Sequence, residues 1–550
     1  MCGIFFYINN ETNSNKIEHI KKSFNKSKSR GPDNLFFELI NRYKINNYLY
    51  KYIYIGFHRL SINGLNQISN QPFIKNDVYL ICNGEIYNYK NLYKSLNISQ
   101  STNSDCEIII DLYLHYSIQE DVSSSNRINY WIKLLDGVFS FVLFDMNKNI
   151  VIAARDPFGV RPMFCDKKYT CFSSELKQIN ELNNFNDLIQ FPPGHFCINN
   201  LDSKLQIIKY FTYGNINLPK FDLSIFSNNN FYNTLIKNTL IESVKKRLLS
   251  DRKIGCLLSG GLDSSLITAI VSYLSKKQID TFSIGLENSP DIIAARKVAK
   301  FLDSNHHELI VTEDEMFNAI PDVIYAIESY DTTTVRASVG NYLISKYISE
   351  NFPDIKVIFN GDGADEIAGG YKYFKFAPNN LYWDEECYKL LNNIHFFDVL
   401  RSDRSISFNG LEPRTPFLDK SFVQLYLSIP INVRKTDNLE KNLIRKSFKD
   451  FLPQEILYRK KEAFSDGVSN ENNSWFSIIQ NKLKNDNFNF LDYIPISQYN
   501  FVNVPITKEQ KYYRFLFDKN YPNYANIIPY FWMPTWTSGE PATDPSARTI

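Results

Sequence analysis

No two cysteines in this chain form a C-x-x-C pair, and no glycine-rich stretch reads G-x-x-x-x-G-K-S/T. The first absence argues against a zinc ribbon or knuckle; the second excludes a Walker A loop for any nucleotide the protein handles. Cysteine is sparse, eight residues among 550 without the dense spacing of a secreted scaffold, so reduced thiols in a cytoplasmic setting are expected. Net charge is nearly absent too: 61 Lys and Arg oppose 59 Asp and Glu, for a formal +2, which offers no global field to nucleic acid or an anionic membrane. Partners are expected to be small molecules, recognised locally. The start lacks a basic stretch leading into an apolar one, and the strongest apolar run, LLDGVFSFVLF at 134–144, is too short to span a bilayer. A soluble protein that stays where it is made is the expectation.

What is present is length with two textures. A chain of 550 residues exceeds one hydrophobic core, so two domains are expected. The first third carries short strand-like segments such as YKYIYIGF, VYLICNGEIYN, GVFSFVLFD and NIVIAARD, separated by turn residues. From about residue 231, helix-period runs such as FYNTLIKNTLIESVKKRLL alternate with buried-strand runs such as KIGCLLS, TFSIGL and KVIFNG, which predicts an α/β domain with a parallel sheet. The expected division is a β-rich domain over 1–200, a connecting segment over 201–230 containing NLPKFDLSIFSNNN, the α/β domain over 231–525, and a tail over 526–550. TWTSGEPATDPSARTI, at the end, has the composition of a mobile tail.

The chain opens MCGIFFYI. Removal of Met1 would leave Cys2 with a thiol and a free α-amine on one residue, a nucleophile with its own base, since an amine of pKa near 8 can accept the thiol proton at neutral pH. No catalytic histidine is then required. An amide hydrolase acting on a free amino acid also needs an oxyanion site, which the Asn83 amide and Gly84 N–H could form. It needs a cation for the substrate carboxylate, the natural role of Arg59 in HRLSIN, and acceptors for the ammonium, for which Glu85 and Asp105 are candidates. RGPD at 30–33 adds a turn with a fixed charge on either side.

In the second half, CLLSGGLDSSLITAI runs from a buried strand through Ser259, Gly260, Gly261, Asp263, Ser264 and Ser265 into an apolar helix. Glycines let backbone N–H groups approach phosphate, serines add donors, and the helix presents its positive end, so the stretch reads as an anion cradle. Ile284 would lie at a strand end beside a nucleotide, and Asp291 could help Asp263 hold Mg²⁺. Thr333, Thr334 and Arg336 in YDTTTVRAS offer donors to a second carboxylate substrate, and Lys461 could neutralise developing phosphate charge.

The first third, through RDPFGVRPMF, SSELK and FPPGH, resembles the class II glutamine amidotransferase domain. That resemblance implies an α+β N-terminal-nucleophile (αββα) fold in which Cys2 forms a glutamyl thioester and releases ammonia. Asn83 and Gly84 would be the oxyanion hole, and Arg59, Leu60, Ser61, Ile62, Asn63, Glu85 and Asp105 would hold glutamine. SGGLDSS looks like the pyrophosphate loop of ATP-pyrophosphatase enzymes (adenine nucleotide α-hydrolase-like), which activate a carboxylate as an acyl-adenylate. The second half as a whole, through GLENSPDIIAARKVA, HHELIVTEDE, AIESYDTTTVRAS, GDGADE, LEPRTPFLDK, RKKEAFSDG and the terminal DPSAR, resembles the glutamine-hydrolysing asparagine synthetase family. It implies ATP bound by Leu258, Ser259, Gly260, Gly261, Asp263, Ser264, Ser265, Ile284, Asn360, Gly361 and Lys461, aspartate bound by Thr333, Thr334 and Arg336, Mg²⁺ at Asp263 and Asp291, a β-aspartyl-AMP intermediate attacked by channelled ammonia, and a homodimer.

There are two departures, of which only the first is expected to matter. Where the family usually reads SGEG this chain reads NGDG, placing Asn360 for serine and Asp362 for glutamate; Ser29 stands where histidine often precedes RGPD. Asp362 keeps the charge but is one methylene shorter, and if that carboxylate is catalytic a shift of about 1 Å could cost on the order of a hundredfold in rate. Two other readings stay open on the residues: an amidotransferase acting on another carboxylate, or a catalytically impaired homologue that binds ATP and glutamine.

Overall fold

The computed structural model describes residues 1–10, 13–45, 49–117, 124–182, 187–201, 205–213, 230–435, 439–469, 473–485, 503–538 and 544–545. The chain divides into two compact units, one of Met1–Thr212 with Leu249–Arg252 and Ser407–Leu411, the other of Tyr213–Leu248, Lys253–Ile406 and Glu412–Ile550. The first unit thus runs past residue 200, because a hairpin strand ending at Lys209 completes one of its sheets. Most of the expected connecting segment, including its polar core at 214–229, lies outside the described residues.

Among the described residues the first unit is built on twelve strands: β1 (Gly3–Asn9), β2 (Asn34–Ile45), β3 (Leu49–Arg59), β4 (Phe73–Lys75), β5 (Val78–Ile86), β6 (Gly137–Asp145), β7 (Ile150–Arg155), β8 (Phe164–Asp166), β9 (Cys171–Ser173), β10 (Leu188–Gln190), β11 (His195–Asn200) and β12 (Leu205–Lys209). They form two six-stranded sheets, ordered β10-β8-β9-β1-β3-β2 and β12-β11-β7-β6-β5-β4, with every pairing between neighbouring strands antiparallel. Alternation along β1 explains how the sheets pack. Ile4, Phe6 and Ile8 meet Ile81, Val142, Phe144 and Val151 of the other sheet in one buried cluster. Phe5 faces the other way, onto Phe24 of the helix Ser14–Asn25, with ring centroids 5.6 Å apart. On the far sheet Phe141 stacks on Trp131 of the helix Ser124–Leu134. A strand buried on both faces reads as a continuous apolar run, which is why MCGIFFYI shows no polar alternation.

The second unit holds a five-stranded sheet, β13 (Lys253–Leu257), β14 (Asp280–Gly285), β15 (Asn305–Ile310), β16 (Ile355–Phe359) and β17 (Glu412–Arg414), ordered β15-β14-β13-β16-β17 and parallel throughout. β13 and β16 sit side by side, so the loops that leave their carboxyl ends, SGGLDSS and NGDGAD, open onto one crevice. Ligands of open parallel sheets bind at such a place. Among the described residues no helix is long and apolar enough to cross a membrane.

Candidate active sites

In the first unit Cys2 lies at the head of β1, its Sγ 3.6 Å from the Leu60 carbonyl oxygen. Its own carbonyl accepts from Arg30 Nε at 3.0 Å. Arg30 is fully buried, bonded to Ser407 Oγ at 2.8 Å and paired with Glu175 at 3.4 Å. Glu175, from SSELK, also accepts from Ser27 Oγ at 2.5 Å and pairs with Lys177 at 3.1 Å. The RGPD turn therefore does two jobs. Its arginine fixes the backbone of Cys2, while Asp33 accepts from the Ser61 N–H at 2.8 Å and its N–H donates to the Arg59 carbonyl. Gly31 is required because a Cβ there would stand 2.4 Å from the His58 carbonyl.

Asn83 is the outlier of this site. It is fully buried in β5, and among the described residues neither its amide nitrogen nor its amide oxygen has a hydrogen-bond partner. An unsatisfied buried amide is costly, so this group is suited to a ligand that would complete it. Gly84 beside it packs against β6, where a Cβ would come within 2.4 Å of the Val138 carbonyl. Glu85 and Asp105 are brought together across Asn63, whose Nδ2 donates to them at 2.5 and 3.4 Å, and the Ile86 N–H donates to Asp105 at 2.6 Å. Arg59 is placed differently from the expectation. Its guanidinium turns into the loop that follows β3, donating to the carbonyls of Asn63 at 3.3 Å and Asn66 at 3.1 Å, to that of Gly64, and to Asn70 Oδ1 at 2.5 Å. It organises the loop carrying Leu60, Ser61, Ile62 and Asn63. The same loop is tied from outside by Arg252 Nε on the Ser61 carbonyl at 3.0 Å and by Asp251, which accepts from the Gly64 N–H at 2.8 Å. His58 stacks on Phe24 at 3.9 Å, and burial pushes its pKa down to about 4, so the ring is neutral at physiological pH.

In the second unit a cavity of about 200 Å³ lies over the ends of β13, β14 and β16. Leu258, Ser259, Gly261, Asp263, Ser264 and Ile284 line one side. Ser259 Oγ meets Ser264 Oγ at 2.9 Å across the loop, and Gly261 precedes the helix Leu262–Ser275, whose N–H groups face the same space. Gly260, in the left-handed region at φ 70, stands against Ala294, where a Cβ would clash at 2.4 Å. Ser265 lies behind the loop, fully buried, its hydroxyl without a partner among the described residues. Gly361 lets the NGDGAD loop press on the helix, since a Cβ would sit 2.7 Å from the Ser264 nitrogen.

The charged groups of the cavity form two networks. In the first, Lys441 Nζ bridges Asp263 at 2.6 Å and Asp365 at 2.5 Å, and Lys461 pairs with Asp365 at 2.7 Å. Burial works against the Lys461 charge, but Asp365 and Asp263 hold its ammonium above the usual lysine range. Asp263 keeps Oδ1 buried and unpartnered among the described residues. The carboxylate that joins Asp263 is thus Asp365. Asp291 is taken by Arg459 at 2.9 Å, and burial pushes its pKa up to about 6. In the second network Arg401 holds Asp362 at 2.7 Å and Asp398 at 2.9 Å, while Tyr371 donates to Glu366 at 2.5 Å and Asp398 at 3.1 Å. Burial and the neighbouring Asp398 keep Glu366 well above the ordinary carboxyl range. Asp362 Oδ2 has no partner among the described residues. Asn360 uses its Nδ2 on Ser402 Oγ at 2.7 Å and its Oδ1 on the Asp362 N–H at 3.4 Å.

Of the residues expected at the second carboxylate substrate, only Thr333 reaches the cavity. Thr334 is turned onto the cap residue Asp331 at 2.7 Å, and Arg336 is clamped between Glu509 and Asp544. The expected mobile tail is accordingly fastened where it is described: Thr535 donates to Glu386 at 2.6 Å and Trp536 packs on Phe374. Aromatic and carboxylate anchors override its polar composition. Sequence reasoning missed Asp365, Glu366, Tyr371, Asp398, Arg401, Lys441 and Arg459. The first two sit inside the noted GDGADE, Tyr371 inside the GGYKYF that follows it, and Arg459 inside RKKEAFSDG; the other three carry no motif that could have marked them.

A family model described as a glutamine amidotransferase domain matches residues 1–192, and one described as asparagine synthase matches 235–384 and 377–498. Over 556 residues the chain is 41% identical to asparagine synthetase (glutamine-hydrolyzing) of Gallus gallus, covering 95% of this chain and 94% of that protein. The Homo sapiens protein of the same description is 39% identical over 558 residues, with the same coverage of each. Among solved structures, glutamine phosphoribosylpyrophosphate amidotransferase from B. subtilis is similar at a TM-score of 0.31 and 13% identity, covering 57% of this chain and 91% of that one, a likeness too loose to carry an argument.

Proposed function

The chain belongs to the glutamine-hydrolysing asparagine synthetase family, and from that premise we propose how its two sites divide the synthesis of asparagine from aspartate, glutamine and ATP. The observation that carries the reading is identity running through both units, 41% across 95% of the chain. A ligase of this kind needs a nitrogen-releasing site and an acyl-activating site, and each unit supplies a suitable set of groups.

At the first site Cys2 Sγ, deprotonated by its own α-amine once Met1 is removed, attacks the glutamine side-chain carbonyl; the C–N bond breaks, ammonia leaves, and water then cleaves the thioester to glutamate. Asn83 Nδ2 and the Gly84 N–H bind the oxyanion, a role supported by the unsatisfied Asn83 amide. Glu85 and Asp105 take the substrate ammonium, supported by their meeting over Asn63. Arg59 shapes the loop 60–63 and leaves the substrate carboxylate to that loop's backbone.

At the second site a carboxylate oxygen of aspartate attacks the α-phosphorus of ATP and pyrophosphate leaves. Ser259, Gly261, Ser264 and the helix N–H groups bind the phosphates, Ile284 packs on the nucleoside, and Lys461 offsets charge on the leaving group. Mg²⁺ carried in on the nucleotide phosphates would find an open oxygen at Asp263 Oδ1, while both oxygens of Asp365 are held by Lys441 and Lys461; the ion would supply charge neutralisation on the phosphates. Asp291, the other carboxylate expected to hold the ion, is likewise engaged, through Oδ1 by Arg459. Ammonia then attacks the β-carbonyl of β-aspartyl-AMP, the C–O bond to AMP breaks, and Asp362 Oδ2, oriented by Arg401, accepts the proton. Thr333 is the residue of YDTTTVRAS proposed to contact aspartate.

Purified protein free of N-terminal additions, given Mg-ATP, aspartate and either glutamine or ammonium, tests this. Asparagine and pyrophosphate in equal amounts from both nitrogen sources are expected. Pyrophosphate that forms without aspartate would overturn the reading.

A further inference from the structure

Resting on that reading, we propose that Asp544, acting with Glu509 through Arg336, is a positioning residue for the aspartate half of the reaction. It ties the chain at Asp544 to Arg336, in the first turns of the helix Thr332–Asn351. Arg336 is 4% exposed and donates to both oxygens of Glu509, at 2.7 and 2.6 Å, and to both oxygens of Asp544, at 3.2 and 2.7 Å. The Phe476 ring lies 5.0 Å from the same guanidinium. The group is held on several sides and cannot reach a small molecule in the cavity without releasing both acids.

The helix it sits on is a wall of that cavity, through Thr333, Ala337 and Asn341, which share one face at a spacing of four residues. Arg336 lies three residues beyond Thr333, so a load on its side chain bears directly on the turn that presents Thr333. A second fastening strengthens the argument. The Trp532 N–H donates to Asp331, the cap of this helix, at 2.7 Å, and the Trp532 carbonyl accepts from Thr333 Oγ1 at 3.4 Å. The Trp532 ring packs 5.2 Å from the Tyr371 ring, and Tyr371 is bonded to Glu366 and Asp398 on the cavity wall. The C-terminal segment therefore grips both the Thr333 turn and the carboxylate network.

The chemistry makes Asp544 separable from folding. Glu509 alone keeps the buried Arg336 paired, so loss of the Asp544 charge does not strand a cation, whereas it removes the carboxylate charge and one of the two acceptor oxygens that register the helix.

The test compares full-length protein with Asp544→Asn and Asp544→Glu variants, and with a chain ended after Ser538. Asp544→Asn and the shortened chain should raise KM for aspartate about fivefold to tenfold with kcat within about threefold, leaving KM for ATP and glutaminase turnover as in the parent. Asp544→Glu should return KM for aspartate to within about twofold. Hydrogen exchange of amides 332–341 should quicken in Asp544→Asn, a readout that stands even if the parent makes no asparagine, so that the two readings can fail separately. Parental KM in both Asp544→Asn and the shortened chain would overturn the proposal, as would an equal fall of every activity with a lowered melting temperature, or exchange unchanged at 332–341.

Discussion

Arg30 Nε donates to the backbone carbonyl of Cys2 at 3.0 Å while the same guanidinium is paired with Glu175, both side chains fully buried. The nucleophile's main chain is thereby fixed by a charge that is itself fixed. Lysine keeps the charge but cannot hold the Nε geometry while pairing with Glu175. Arg30→Lys should therefore lower glutamine-dependent asparagine synthesis on the order of a hundredfold, the cost of a misplacement near 1 Å, with ammonia-dependent synthesis within about twofold of the parent. Steady-state rates with each nitrogen source check it, and equal losses with both would contradict it.

Cys2→Ala removes the thiol from a site that has no part in acyl activation. Glutamine-dependent synthesis should vanish while ammonia-dependent synthesis persists at close to the parental rate. Blocking the Cys2 amine with a residual N-terminal tag should also silence glutamine use. Full glutaminase activity with such a tag would remove the α-amine as the base.

Asp362 has one oxygen on Arg401 and one without a partner among the described residues. Asp362→Asn should leave aspartate-dependent pyrophosphate release measurable and slow amide formation by about a hundredfold, because the amide cannot accept the proton from attacking ammonia. Asp362→Glu extends the carboxylate by one methylene and should keep or raise the parental rate. Quenched-flow measurement of pyrophosphate and asparagine in one reaction separates the two steps; an Asn variant with the parental asparagine rate would end the role given to Asp362.

His58 supplies a pH dependence. Its folded pKa, pushed down to about 4 by burial, lies below the unfolded value near 6.5, so the neutral ring's stability is fully present above 6.5 and is lost as pH falls toward 4. Between pH 7 and pH 5 this one group should cost about 2 kcal/mol. His58→Gln should shrink that difference, read by pulse proteolysis in urea at the two pH values on peptides from the first unit. An unchanged gap would mean that other groups set the acid limit.

Much of this architecture was legible because periodicity reports burial. MCGIFFYI is a strand covered on both faces, KIGCLLS is the middle strand of the parallel sheet, and Gly260 of SGGLDSS sits where the backbone at Ala294 approaches within contact distance. Side-chain engagement was less legible. Arg59 and Arg336 carry the charge expected of substrate clamps, yet one turns onto four loop acceptors and the other onto two acids, Glu509 being 173 residues away in the chain. Linear order shows which charges exist and not which of them meet. Lys441 shows the converse: no motif marks it, but tertiary packing sets its ammonium between Asp263 and Asp365.

The most direct test of the central claim, that both half-reactions occur in this chain, is a single assay of untagged protein with Mg-ATP and aspartate that quantifies pyrophosphate, glutamate and asparagine, first with glutamine and then with ammonium. Asparagine matching pyrophosphate under both conditions, with glutamate matching asparagine in the first, is the predicted result. Glutamate release with neither pyrophosphate nor asparagine would contradict it, leaving a glutaminase joined to a unit that activates nothing.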